Sequence, residues 1–327
     1  MTIRKPRWIP AALLALSMTA CGGGGGPGPF PPPPPPVPAS AKAITAFSIG
    51  GVGGVINGTN RTVTVTLPLN TPPAALTGLT PVITHSGASI SPGANDPQNF
   101  YRSGFTPVTY TVTAADGSRA VWTVIVKLES LAPGANIGTY LSGITGAYDG
   151  SGADRPIPLP VTISLPDDWA GILSAIQTAG KYVALDLSAC TMTGAEFDPD
   201  AVDTDANRVA AKGKIVSLIL PDAAAGIKAG TSSNPTFKNF TGLKSVTGAH
   251  VTSIGDYAFY QRITLATVSL PAATTIGEGA FGHCTTLTTV SLPAATTIRN
   301  GAFFDCAALE TVELPAATSI GSSAFEG

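Results

Sequence analysis

A chain of 327 residues has room for two or three domains, and only 12% of its side chains are charged, against 37 Gly and 29 Pro. The formal charge is −2, and setting aside the three basic residues of the first 20 positions leaves 15 basic against 20 acidic side chains, which excludes the basic face that nucleic acid requires. Four cysteines exclude a disulfide-built scaffold, and beyond the N-terminus no apolar run approaches the roughly 20 residues of a membrane span.

Arg4, Lys5 and Arg7 precede an apolar run from Trp8 to Ala20. Residues 1–20 thus have the layout of a secretory signal. The run ends Leu16-Ser-Met-Thr-Ala-Cys21, followed by five glycines. Small residues followed at once by Cys resemble the lipobox of bacterial lipoproteins. The resemblance implies that Cys21 is the lipidated first residue of the mature chain and that the membrane is a partner through that lipid. Several acyl chains, at about 0.8 kcal/mol per buried methylene, anchor a protein firmly. Residues 21–40 then form a tether, because the glycines act as a swivel. Pro31 to Pro36 form a semi-rigid polyproline rod of about 3.1 Å per residue.

Residues 41–128 read as a small antiparallel β-sandwich, immunoglobulin-like in the loose sense. Val63 to Leu67 and Val108 to Val112 alternate with period two, and the second run meets Val121 to Val126 across the turn Ala115-Asp-Gly-Ser118. Ile44 to Ile49 and Pro81 to Thr84 supply further strands, and Trp122 is a core residue. The hairpin from Tyr110 to Gly117 also resembles one found in small β domains near the N-termini of bacterial surface lipoproteins, which implies a spacer.

Residues 129–180 read as a linker and a capping helix. Ala132-Pro-Gly-Ala-Asn136 is turn-rich. Asp167 and Asp168 suit a helix N-terminus, Trp169, Ile172, Leu173 and Ile176 follow at helical spacing, and Gly180 is the stop. This helix is expected to cover the first edge of a solenoid over residues 181–327.

The solenoid rests on a 22-residue period. Ile254-Gly-Asp-Tyr-Ala-Phe259 returns as Ile276-Gly-Glu-Gly-Ala-Phe281, Ile298-Arg-Asn-Gly-Ala-Phe303 and Ile320-Gly-Ser-Ser-Ala-Phe325. Leu265-Ala-Thr-Val-Ser-Leu-Pro271 returns from Leu287 and from Leu309. One such coil cannot bury its apolar residues alone, so stacking supplies the core. Divergent early coils are expected around Tyr182 to Leu187 and Ile215 to Pro221. The motif Leu-x-x-Val-x-Leu with a later Ile and an Ala-Phe pair resembles the BspA-like leucine-rich repeats of bacterial surface proteins. The chain stops in mid-coil at Gly327, and a truncated solenoid is the expectation. The fold class is therefore mostly β, a small sandwich followed by a leucine-rich-repeat solenoid with few helices.

Stacking places Thr267, Thr289 and Thr311 in one outward row and Ser269, Ser291 and Glu313 in the next, with rungs about 4.8 Å apart. This hydroxyl-rich sheet face is the candidate binding face; a merely solvated face and an ice-binding array are the competing readings. Cys284 and Cys306 hold equivalent places one coil apart, close enough to bridge, and are expected as buried thiols. His85, His250 and His283 stand alone, without hydrolytic zinc spacing. Gly50 to Gly54 lacks the third glycine of a dinucleotide loop, and Gly213-Lys214 fails as a phosphate loop. Asp203, Asp205 and Asn207 have the one-three-five spacing of a calcium loop, but Arg208 and Lys214 stand where Gly and Glu belong, so a solvated insertion is preferred.

The sequence thus points to a non-catalytic, lipid-anchored envelope protein that needs no cofactor. The BspA-like resemblance implies an adhesin on the outer membrane, its partners being host or bacterial surface proteins or glycans. The alternative is a structural stalk without a specific ligand.

Overall fold

The computed structural model describes residues 39–69, 71, 73–100, 108–131, 136–146, 148–200 and 206–327. The signal, Cys21 and most of the tether lie outside the described residues.

The N-terminal domain contains β1 (Ile44–Ile49), β2 (Val52–Gly53), β3 (Val55–Asn57), β4 (Thr62–Leu67), β5 (Pro81–His85), β6 (Ser89–Ser91), β7 (Val108–Thr113) and β8 (Arg119–Leu128). They form two sheets, ordered β2-β1-β5 and β3-β4-β8-β7-β6. Alternation makes one face of each sheet apolar, and these faces share a core in which Ile44, Phe47 and Ile83 meet Val63, Val65, Tyr110 and Trp122. Trp122 is core as expected, and its indole N–H donates to the Lys42 carbonyl at 3.1 Å. The purely antiparallel expectation fails at one place: β4 pairs with β8 in parallel, from Thr62↔Thr123 to Leu67↔Leu128. Antiparallel hairpins join neighbours in sequence, whereas these two strands are joined through the whole of β5 to β7, a connection long enough for a parallel return.

The segment after β8 is less of a linker than its composition suggests. Glu129 N–H donates to Leu67 O, and Leu131 forms a parallel bridge with Val161. Lys127 Nζ also reaches Ser188 Oγ at 3.1 Å. A cavity of about 50 Å³ at this junction is lined by Leu76, Phe100, Val126 and Leu128 on one side and by Leu159, Ala184 and Ile219 on the other.

The solenoid begins earlier than position 181. It runs α1 (Ile137–Gly143), β9 (Ile157–Pro160), β10 (Ser164–Leu165), α2 (Trp169–Ala179), β11 (Val183–Asp186), β12 (Thr191–Met192), β13 (Glu196–Phe197) and α3 (Ala206–Lys212). The regular part follows with β14 (Ile215–Ile219), β15 (Gly226–Ile227), β16 (Ser245–Thr247), β17 (Ser253–Ile254), β18 (Thr267–Ser269), β19 (Thr275–Ile276), β20 (Thr289–Ser291), β21 (Thr297–Ile298) and β22 (Ser319–Ile320). One parallel sheet has the order β20-β18-β16-β14-β11-β9, and a second has β13-β15-β17-β19-β21-β22.

The predicted helix is present as α2, with Trp169, Ile172, Leu173 and Ile176 buried and Gly180 closing it at φ 63. Its place differs from the expectation. It is the return limb between β9 and β11, part of the first coil rather than a lid over it. The edge strand β9 is instead met by Leu131 and by α1, whose Tyr140 hydroxyl donates to Pro158 O at 2.8 Å. In later coils short strands and tight turns replace the helices. Their core is a column of rings, Phe237, Phe259, Phe281 and Phe303, on which the exposed Phe325 stacks last, at successive centroid distances of 4.4, 5.2, 5.1 and 5.1 Å.

Candidate binding face

Each regular coil sends Leu, Val and Leu inward from its first-sheet strand, so the residues between them must face out. In register, the first outward row is Ala184, Ser217, Ser245, Thr267 and Thr289. The second is Asp186, Ile219, Thr247, Ser269, Ser291 and Glu313. The structure therefore brings Thr267 with Thr289, and Ser269 with Ser291 and Glu313, side by side as the spacing predicts. Thr311 is exposed and lies beyond β20, where the ladder continues only as the single bridge Ser291↔Glu313. A groove of about 360 Å³ opens there, lined by Thr288, Thr289, Ser291, Thr311 and Glu313.

The face is not uniform along the solenoid. Ser217 is 0% exposed and Ser245 is 8% exposed. The two hydroxyls bond each other at 2.7 Å. Nearby, Ile219 shares the junction cavity with Leu76 and Phe100 of the β domain. Only from Thr267 onward does the first row reach solvent.

A second threonine row, unremarked in the sequence reading, shows what a structural hydroxyl does. Thr252, Thr274, Thr296 and Thr318 repeat every 22 residues, and each Oγ1 donates to a carbonyl of the preceding coil at 2.8 to 3.2 Å. Thr264 and Thr286 staple neighbouring coils in the same manner. By contrast, the hydroxyls of Thr267, Thr289, Thr311, Ser269 and Ser291 make no hydrogen bond with the described residues.

Of the other sequence candidates, Cys21, Asp203 and Asp205 lie outside the described residues, as does the Asn207 side chain, whose backbone belongs to α3. Among the described residues no group of three or more His, Cys, Asp or Glu could hold a metal. Just upstream, Asp198 is paired with Lys228 and Asp200 with the fully buried Lys212. The Asp198 carboxylate raises the Lys228 ammonium above its usual range by hydrogen bonding and charge. Trp169 fixes the same loop through a 2.9 Å bond from its indole N–H to Pro199 O.

Among the described residues, Cys190, Cys284 and Cys306 are free and buried. Cys284 Sγ donates to Phe259 O and Cys306 Sγ to Phe281 O, both at 3.1 Å, so each thiol ties its coil to an earlier one. Burial pushes Cys284 up to about 12 and Cys306 and Cys190 up to about 11, which makes them packing groups rather than nucleophiles. His283 does not stand alone, because its Nδ1 lies 2.8 Å from Asp305 Oδ2. Sequence reasoning missed its neighbours Tyr260 and Phe304, since non-repeating turn residues carry no periodic signal.

No helix among the described residues is long and apolar enough to cross a membrane. Residues 44–126 match the family described as SGBP, N-terminal, and residues 212–327 match the BspA type leucine-rich repeat region in six copies. No curated protein matches the chain. Solved structures are similar as well. One, a Bacteroides fragilis NCTC 9343 protein described as secreted, is 21% identical with a TM-score of 0.21, covering 28% of this chain and 100% of its own. Another, a leucine-rich repeat protein from Eubacterium ventriosum ATCC 27560, is 15% identical with a TM-score of 0.23, covering 87% of this chain and 95% of its own. Residues 212–327 are therefore a BspA type leucine-rich repeat region, and an SGBP N-terminal domain over residues 44–126 precedes it.

Proposed function

We propose that this is a non-catalytic cell-surface binding protein, anchored through a lipid on Cys21, whose outer sheet face docks onto proteins or glycans of another surface as an adhesin. One observation carries the reading. Thr267, Thr289, Thr311 and Ser291 are exposed and Ser269 is half-buried, and their hydroxyls are unbonded, while Thr252, Thr274, Thr296 and Thr318 of the same coils each bond the coil before them. A rigid parallel sheet holds these donors and acceptors at fixed spacing, so little ordering entropy is lost when a partner binds. The buried Ser217 and Ser245 confine the docking area to the C-terminal coils.

The stalk reading is favoured by a different observation. The β domain and solenoid are joined through backbone hydrogen bonds at Leu131, which suits a stiff extension. Binding of the full chain to immobilised matrix proteins, glycans and bacterial cells separates the two, since a stalk binds none of them. For the anchor, Cys21→Ala is expected to move the protein from the detergent phase to the aqueous phase. Unchanged partitioning of that variant would remove the lipid from the account.

A further inference from the structure

An asparagine or aspartate followed by glycine can react with its own backbone, because no Cβ hinders the approach of the glycine nitrogen to the side-chain carbonyl carbon. The chain has four such pairs, Asn57-Gly58, Asp116-Gly117, Asp149-Gly150 and Asn300-Gly301. The fold treats them differently. Gly117 N–H donates to Ala114 O at 3.0 Å, Gly150 N–H to Arg155 O at 2.9 Å and Gly301 N–H to Ser322 O at 2.9 Å. Gly58 N–H, alone of the four, makes no hydrogen bond with the described residues.

The cause is the hairpin between β3 and β4. Its ladder closes on the pair Asn57↔Thr62, so Gly58 is the first loop residue beyond the ladder. Asn57 and Gly58 are both exposed. The Asn57 side chain folds back over the loop, and its Oδ1 accepts from Thr59 N–H and Asn60 N–H, both at 3.1 Å. This Asx turn keeps the side-chain carbonyl beside the peptide that follows it. Two donors on Oδ1 also draw electron density from Cγ. A Cβ on Gly58 would meet nothing within 4 Å, so the nitrogen is uncrowded.

Asn300 shows the opposite arrangement. Its Oδ1 accepts from Ser322 N–H at 3.0 Å, while the Gly301 amide donates to Ser322 O. Both groups are therefore clamped to the next coil, and the nitrogen that would attack is occupied. One pair is held apart by stacking, and the other stands at a hairpin tip with its reacting atoms unrestrained.

We propose that the hairpin makes Asn57 a site of enzyme-free modification, where it cyclises onto Gly58 and is converted to aspartate and isoaspartate. The Gly58 nitrogen gives its proton to hydroxide and bonds to Asn57 Cγ. The side-chain nitrogen leaves as ammonia, and a five-membered succinimide remains. Water then opens the ring, with no change of oxidation state. Addition at Cγ gives aspartate, which still accepts both loop hydrogen bonds and adds one negative charge. Addition at the main-chain carbonyl carbon gives isoaspartate, which lengthens the backbone by one methylene at the closing pair of β3, an edge strand of its sheet. The hairpin thereby records the age of the molecule, independently of the threonine face.

The test is incubation of the full chain in heavy-oxygen water at pH 7 and pH 9, then digestion with trypsin in ordinary water. Mass spectrometry follows the peptide from Ala43 to Arg61 and the peptide that begins at Asn300. One heavy oxygen should enter at Asn57, faster at pH 9, and at a rate at least tenfold above that at Asn300. Gly58→Ala meets neither a clash nor a left-handed backbone, so the variant should fold normally and convert at least tenfold more slowly. In urea, which releases the Gly301 amide, Asn57 should lose its lead. Equal rates at Asn57 and Asn300 in the folded chain, a Gly58→Ala variant as fast as the parent, or a lead for Asn57 that persists in urea overturns the proposal.

Discussion

Two threonine rows run along the same coils and have opposite fates. Thr252, Thr274, Thr296 and Thr318 each donate to the coil before them. Thr267 and Thr289 stand across the coil on the first sheet, point outward and bond nothing described. The repeat therefore reveals function only by subtraction. A residue that recurs because the coil needs it shows an internal partner, and a recurring polar residue without one is free for another molecule.

Breaking the architectural side should have the largest effect. Phe281→Ala opens a hole in the middle of the ring column and should cost about 3–5 kcal/mol in chemical denaturation. Next comes the buried sulfur of Cys190, Cys284 and Cys306, whose ordinary value near 9 is raised by burial to about 11, 12 and 11. Above pH 9 the unfolded chain loses these protons and the folded chain keeps them. Stability is therefore unaffected by these groups below that range and falls as pH rises from about 9 towards 11. Denaturation at pH 7, 9 and 10 should follow that order, and Cys284→Ala should flatten it. Smaller again, Thr274→Val removes one bond to Thr252 O and should cost about 0.5–1 kcal/mol. Thr289→Ala removes no internal bond and should stay within about 0.5 kcal/mol of the parent.

Much of this architecture is legible in the sequence, and the legible part is the part the coil enforces. The 22-residue period exposes the column Phe259, Phe281 and Phe303, the inward Leu-x-x-Val-x-Leu and the register of Thr267 on Thr289, because stacking requires the same residue at each level. The first coil is hidden for the opposite reason. Ile157-Pro-Leu-Pro160 carries two prolines, which argue against a strand, yet β9 is the edge of its sheet and an edge tolerates them. Without that strand, α2 reads as a cap rather than as a return limb. The parallel pairing of β4 with β8 has no local signature either, since period-two alternation is the same for both directions. In the candidate site, sequence spacing found the exposed hydroxyl rows but could not show that their N-terminal members Ser217 and Ser245 are buried, which depends on contacts distant in sequence.

The central claim is that the unbonded hydroxyl row is a docking surface and the internally bonded row is scaffold. Its most direct test is one binding experiment on the combined Thr267→Ala, Thr289→Ala and Thr311→Ala variant, set beside Thr274→Val/Thr296→Val, against the immobilised surface that captures the parent. The account predicts at least a tenfold loss of capture for the Thr267/Thr289/Thr311 variant at an unchanged melting temperature, with the Thr274/Thr296 variant binding normally though less stable. Equal capture by the parent and the Thr267/Thr289/Thr311 variant would contradict it.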